Sequence, residues 1–141
     1  MLPQPAIRFV SEDIAMLVLP WLMPMSIGQL HVMPGATTDG ASTGFASHIS
    51  GYEHFRGDTF PAAFAHDQLY ATELVDRETA DGILRDLLIA NGVSPERAEV
   101  YFAAVRMFGG DVWAKHTPES IAQARQFVSI LPLVSPAPTP S

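Results

Sequence analysis

Hydrophobic and polar positions follow different rhythms in the two halves of the chain. Up to about residue 60 the apolar segments are short, broken by Pro and Gly, and none repeats at helical spacing. Ile7-Arg8-Phe9-Val10 alternates weakly, which predicts a strand. Ile14 to Leu19 is a short apolar run that reads as a buried strand. Met25 to Met33 holds two apolar pieces around Gly28, the pattern of a hairpin or a bent strand. Pro34-Gly35 ends that piece with a turn, and Ala36 to Thr59 reads as a glycine-rich loop.

Beyond residue 60 the spacing becomes helical. Pro61 suits the first turn of a helix reaching about Glu73, because its missing N–H has no partner to lose there. Asp76 is a good N-cap for a second helix from Arg77 to about Ala90, with Asn91-Gly92 as the stop. Its apolar stripe is Ala80, Ile83, Leu84, Leu87 and Leu88. Ser94-Pro95-Glu96 starts a third helix with a capping serine, a proline at the first position and an acid near the positive end of the dipole. Its buried face is expected to hold Ala98, Tyr101, Phe102, Val105 and Phe108, and Gly109-Gly110 to bend or end it. Thr117-Pro118-Glu119 repeats the start signal for a last helix to about Ile130. The fold class that follows is α+β: a small N-terminal β portion, a Gly-rich loop, then three to four C-terminal helices. Residues 1–131 form one compact domain in this reading. Residues 132–141, with four prolines, form an extended, mobile tail.

Composition narrows the possible functions. Hydrophobic residues are 48% of the 141 and charged ones 16%, ample for a core and sparing at the surface. Eight basic against 15 acidic residues give a net charge of −7, which disfavours non-specific binding to nucleic acid. Cysteine is absent, so disulfide frameworks and thiolate metal sites are excluded. The N-terminus lacks the pattern of a signal peptide. Ile14 to Ile27 is apolar, but Pro20 and Pro24 interrupt it and it falls short of the roughly 20 residues of a membrane span. Trp21, Leu22, Met23 and Met25 would make an adhesive patch if exposed; burial is the expectation.

The candidate chemistry sits in Ala62-Ala63-Phe64-Ala65-His66-Asp67-Gln68-Leu69-Tyr70, which places an ionisable pair in an apolar run. Such a pair is costly unless hydrogen-bonded, metal-bound or catalytic. On a helix, His66 and Tyr70 share a face, whereas Asp67 points about a third of a turn away. A second helix folding back would bring Asp81 or Glu78 near His66. A carboxylate there would keep one imidazole nitrogen protonated and leave the other as a general base. Asp39 with Asp67 and backbone carbonyls near Gly40 would make an all-oxygen site suited to calcium. Zinc is less natural, because His48, His54, His66 and His116 follow no ligand spacing. Ser42 lacks the strand–turn–helix setting of a nucleophile.

Each of these residues also has a purely structural reading. His66-Asp67 can tie a loop to a helix, Asp39 can bond turn amides, and Tyr70 can be core with its hydroxyl satisfied. Asp81 can pair with Arg85 one turn on, and Arg77 can be a solvated residue at a helix start. Trp113 and Phe108 read as core.

Five motifs in order resemble an uncharacterised family of tailed phages and prophages. They are Val32-Met33-Pro34-Gly35, Thr38-Asp39-Gly40-Ala41-Ser42, His66-Asp67-Gln68-Leu69-Tyr70, Arg77-Glu78-Thr79-Ala80-Asp81, and the stretch from Tyr101 through Val105-Arg106 to Gly109. The likeness covers about residues 31 to 116. Met33 precedes the Pro-Gly turn, and Thr43-Gly44 stands where that family commonly has a proline. A looser resemblance is to bacterial secretory phospholipases. It implies that Asp39 and Asp67 bind calcium, that His66 deprotonates water and that Asp81 orients His66, in enzymes that, unlike this chain, are usually disulfide-bonded.

Three functions are open at this point. One is a small hydrolase, phospholipase-like and calcium-assisted, that serves a phage as it enters or lyses its host, with His66 and Asp81 catalytic and Tyr70 at the substrate. Another is a non-catalytic virion, tail or assembly protein whose His–Asp cluster is structural. The third is a binder of a host protein. The expected partners are phage virion proteins or the bacterial envelope, and the expected location is the virion or the host cell, in its cytoplasm or envelope.

Overall fold

The computed structural model describes residues 2–12, 14–38 and 57–132. Their order is β1 (Ile7–Phe9), β2 (Ala15–Leu17), β3 (Trp21–Met25), β4 (Gly28–Val32), β5 (Thr37–Thr38), α1 (Phe60–Thr72), α2 (Arg77–Ala90), α3 (Pro95–Ala114), α4 (Pro118–Arg125) and β6 (Val128–Leu131). The strands form two three-stranded antiparallel sheets, ordered β1-β2-β5 and β3-β4-β6. The fold is α+β, as the change of rhythm near residue 60 implies.

The β3–β4 hairpin is wider than the sequence pattern suggests. It starts at Trp21, and Trp21 pairs with Val32 and Met25 with Gly28. Alternation decides its faces. Trp21, Met23, Met25, Leu30 and Val32 are buried, whereas Leu22 and Pro24 point outward. Pro24 is tolerated because β3 is the edge of its sheet. In the Ile14–Leu19 run, pairing covers only Ala15–Leu17, and Val18 and Leu19 are exposed. Thr37–Thr38 is strand where loop is expected, because it closes the edge of β2.

α1 is buried nearly all round, with 11 of its 13 residues inside. A helix apolar on every side belongs in the middle of a fold. Sheet residues cover one side of it: Trp21 meets Phe64 edge-on, ring centres 4.9 Å apart. α2 covers another side, and α3 packs on α2 in turn. Asp76, Ser94 and Thr117 cap α2, α3 and α4 by accepting the backbone N–H three residues on.

Two helix expectations need correction. α3 does not end at Gly109-Gly110; it runs to Ala114. Its buried face is Ala98, Tyr101, Val105 and Gly109, whereas Phe108 is 37% exposed and Phe102 lies half-buried beneath the Arg85 guanidinium. The last helix stops at Arg125, and Val128–Leu131 becomes β6 along β4. β-branched Val128 and Ile130 suit a strand, and the open edge of β4 supplies the partner. Residues 133–141, almost all of the expected tail, lie outside the described residues.

Candidate functional site

Asp81 is the centre of the site. It lies on α2 with no exposure to solvent, and His66 of α1 is 1% exposed. The connection of residues 73–76 folds α2 back along α1, so the buried faces meet. His66 Nε2 is 2.8 Å from Asp81 Oδ1, and the Tyr70 hydroxyl donates to the same oxygen at 2.6 Å. The other oxygen accepts from Arg106 Nη1 at 2.8 Å, and Arg77 Nη1 lies 3.6 Å from it, one turn earlier on α2. Arg77 also donates to the Val105 and Arg106 carbonyls at 3.1 and 3.4 Å, which ties α2 to α3.

Proton positions follow from these contacts. Burial pushes the Asp81 carboxyl up, but hydrogen bonds from His66 and Tyr70, the attraction of His66 and the bond from Arg106 outweigh it and hold the carboxyl below the usual range. Burial and the Asp81 carboxylate push the Tyr70 hydroxyl far above its ordinary value, so it stays a neutral donor. An ionised Asp81 can only accept. His66 therefore carries its proton on Nε2, and in the neutral ring Nδ1 is the basic nitrogen.

Glycine makes this packing possible. A Cβ on Gly109 would stand 2.4 Å from the Tyr70 hydroxyl oxygen and 3.2 Å from Arg77 Nη1. A helix interior normally disfavours glycine; here the tyrosine needs the space. Trp113 adds an edge-on contact to the Tyr70 ring at 5.1 Å.

Asp67, the next residue on α1, faces elsewhere. It is half-buried and its Oδ2 accepts from the Thr38 hydroxyl at the end of β5. Gln68 pins the same strand, donating from Nε2 to the Thr37 carbonyl at 2.9 Å. The structure thus brings His66, Tyr70 and Asp81 into one cluster and sets Asp67 beside the strand that leads into Asp39. Asp39 and Gly40, the other proposed cation ligands, lie outside the described residues, as do Ser42, His48 and His54. Among the described residues no three His, Asp or Glu side chains are grouped as metal ligands.

Arg106 is the residue that a sequence argument from helix spacing misses. Nothing local marks it as a partner of Asp81; only its place in the Tyr101-to-Gly109 motif sets it apart. Arg77, read from the sequence as a solvated residue at a helix start, instead lies against Asp81 four residues on and bonds the carbonyls of α3. The alternative Asp81–Arg85 pair does not form: Arg85 reaches Asp86 and Glu99 instead. Glu78 takes no part in holding His66, since Asp81 fills that place.

Among the described residues, no helix is long and apolar enough to cross a membrane. No curated protein and no solved structure matches the chain. The family described as Protein of unknown function (DUF1353) matches residues 18–105, more than half of the chain and the span holding β3 to β5 and the His66, Tyr70 and Asp81 cluster, and it ends one residue before Arg106. The chain belongs to that family.

Proposed function

We propose that this is a phage- or prophage-type protein and a small hydrolase that cleaves an ester of the bacterial envelope, with His66 as general base. The observation that carries the reading is the 2.8 Å contact between His66 Nε2 and the buried, ionised Asp81, which fixes the ring's orientation and tautomer. In this reading His66 Nδ1 takes a proton from water while the water oxygen attacks the acyl carbon. The tetrahedral intermediate then expels the alcohol oxygen, which leaves with the proton from Nδ1. Asp81 and Tyr70 position the ring, and the bonds from His66, Tyr70 and Arg106 together keep Asp81 charged. Asp67 with Asp39 and carbonyls near Gly40 would hold calcium, whose charge would stabilise the oxyanion. Support for that cation is the oxygen-only character of the donors and the tie from Asp67 to Thr38, next in the chain to Asp39.

Fatty-acid release from mixed zwitterionic and anionic phospholipid vesicles, with and without millimolar calcium, tests the reading; a peptidoglycan arm runs in parallel. His66→Ala should abolish release, and Asp67→Asn should remove its calcium dependence. Absence of release by the parent chain, together with a melting temperature that calcium leaves unmoved, would overturn the proposal.

A second reading has its own observation. His66 and Asp81 are almost wholly enclosed, at 1% and 0% exposure, which suits a pair that only stitches α1 to α2 in a virion or assembly protein. It expects a large loss of melting temperature in His66→Ala, no hydrolysis by the parent, and co-purification with phage particles.

A further inference from the structure

Turning about 200° around α1 from His66 leads to Gln68 and to a groove on the other side of the helix. The groove lies between β5, α1 and α4 and encloses about 450 Å³, a size common for small-molecule sites. Phe127 forms one wall. Its carbonyl accepts from the Met33 N–H at 2.8 Å, and its ring rests on Gly35. A Cβ at Gly35 would come 2.6 Å from the ring, and its φ of +108° is one that side-chain-bearing residues rarely adopt. The Pro34-Gly35 turn, which plays no part in the His66 cluster, thus seats the aromatic wall.

Gln68 forms the floor and is 3% exposed. Its Nε2 donates to the Thr37 carbonyl, but among the described residues its side-chain oxygen receives no donor. Thr37 and Gln123 stand at the exposed rim with a hydroxyl and a carboxamide. Among the described residues, no charged side chain lines the groove.

We propose that this groove binds an uncharged N-acylated sugar, its amide N–H on the Gln68 oxygen, its C–H face on the Phe127 ring and its hydroxyls on Thr37 and Gln123. The alternatives fit less well. Phosphates and carboxylates would find no cation there. A peptide adding to the edge of β5 would find the Thr37 carbonyl already taken by Gln68. An acyl chain would bury the Gln68 oxygen without a donor. A neutral polyol with one amide matches both the mixed donors and acceptors and the aromatic wall. The inference is independent of any hydrolysis at His66.

The test is an amide NMR titration of the full chain with N-acetylglucosamine and, separately, with glucose and with inorganic phosphate. The expected result is shifts confined to Thr37, Gln68, Ala71, Gln123 and their neighbours, with the acetylated sugar binding about tenfold or more tighter than glucose. Gln68→Met, which keeps the side chain's length, should weaken the acetylated sugar about tenfold and leave the rest of the spectrum in place. If that variant does not fold, Gln123→Ala at the exposed rim and the comparison of the two sugars on the parent decide. Equal binding of glucose, displacement by phosphate, shifts located elsewhere, or no shifts at all would overturn the proposal.

Discussion

The two sides of α1 hold polar groups in opposite ways. Towards α2 and α3, one buried carboxylate gathers a histidine, a tyrosine and two arginines. Towards β5 and α4, Asp67 and Gln68 bond a two-residue strand beside an open groove. The first side has almost no slack: every lost partner weakens the support of a carboxylate that water cannot reach. The second side is neutral or half-exposed, and water can replace what is lost. Stability resides in the first, and the groove proposed to take a ligand lies on the second.

The largest expected effect comes from breaking the charged side. Asp81→Ala leaves His66, Tyr70 and Arg106 without their acceptor and should cost about 3–5 kcal/mol, a drop of about 10 °C or more in melting temperature. A loss no greater than that of a surface substitution would mean that the cluster is not the anchor. Next comes Gly109→Ala. The added methyl meets the Tyr70 hydroxyl and should cost about 1–3 kcal/mol in urea denaturation, although alanine is the better helix former.

Acid provides a gentler break. Because the folded Asp81 carboxyl lies below its ordinary value, its charge stabilises the fold at any pH above the usual carboxylate range. That contribution should disappear as pH falls from the ordinary value through the lowered folded one. Urea midpoints measured from pH 6 downward should show this acid limb, and it should be flatter in Asp81→Asn. The smallest effect belongs to the other side of α1. Thr38→Val removes the Asp67 bond and should cost only about 1 kcal/mol by thermal melting. A cost as large as that of Asp81→Ala would erase the contrast between the two sides.

Asp81 shows how far a sequence argument reaches. His66 and Tyr70 share a face by helical arithmetic, and the short connection to α2 makes a fold-back natural, so a carboxylate near His66 was foreseeable. Helix spacing left Asp81 and Glu78 both open, the resemblance to secretory phospholipases implied Asp81, and it is Asp81 that reaches His66. Arg106 was beyond local reasoning, because it approaches from a third helix whose placement depends on Gly109 yielding to Tyr70. Phe108 misled for a related reason. The outward side of α3 is itself apolar at Val100 and Met107, which are 57% and 74% exposed, so hydrophobicity alone could not tell its inner face from its outer one.

Local chemistry settled the starts of α2, α3 and α4 before any packing. Asp76, Ser94 and Thr117 each bond the backbone three residues on, and a bond of that range needs nothing distant. The change of rhythm near residue 60 likewise set the α+β class, and composition the acidic, cysteine-free character. Only the folded chain decided that Val128–Leu131 is a strand, since an isolated four-residue segment gains little from β geometry until β4 offers an edge. Only the folded chain, too, placed two arginines and a tyrosine around one carboxylate. The contacts to Arg77, Tyr70 and Arg106 span 4, 11 and 25 residues, and burial sets their strength.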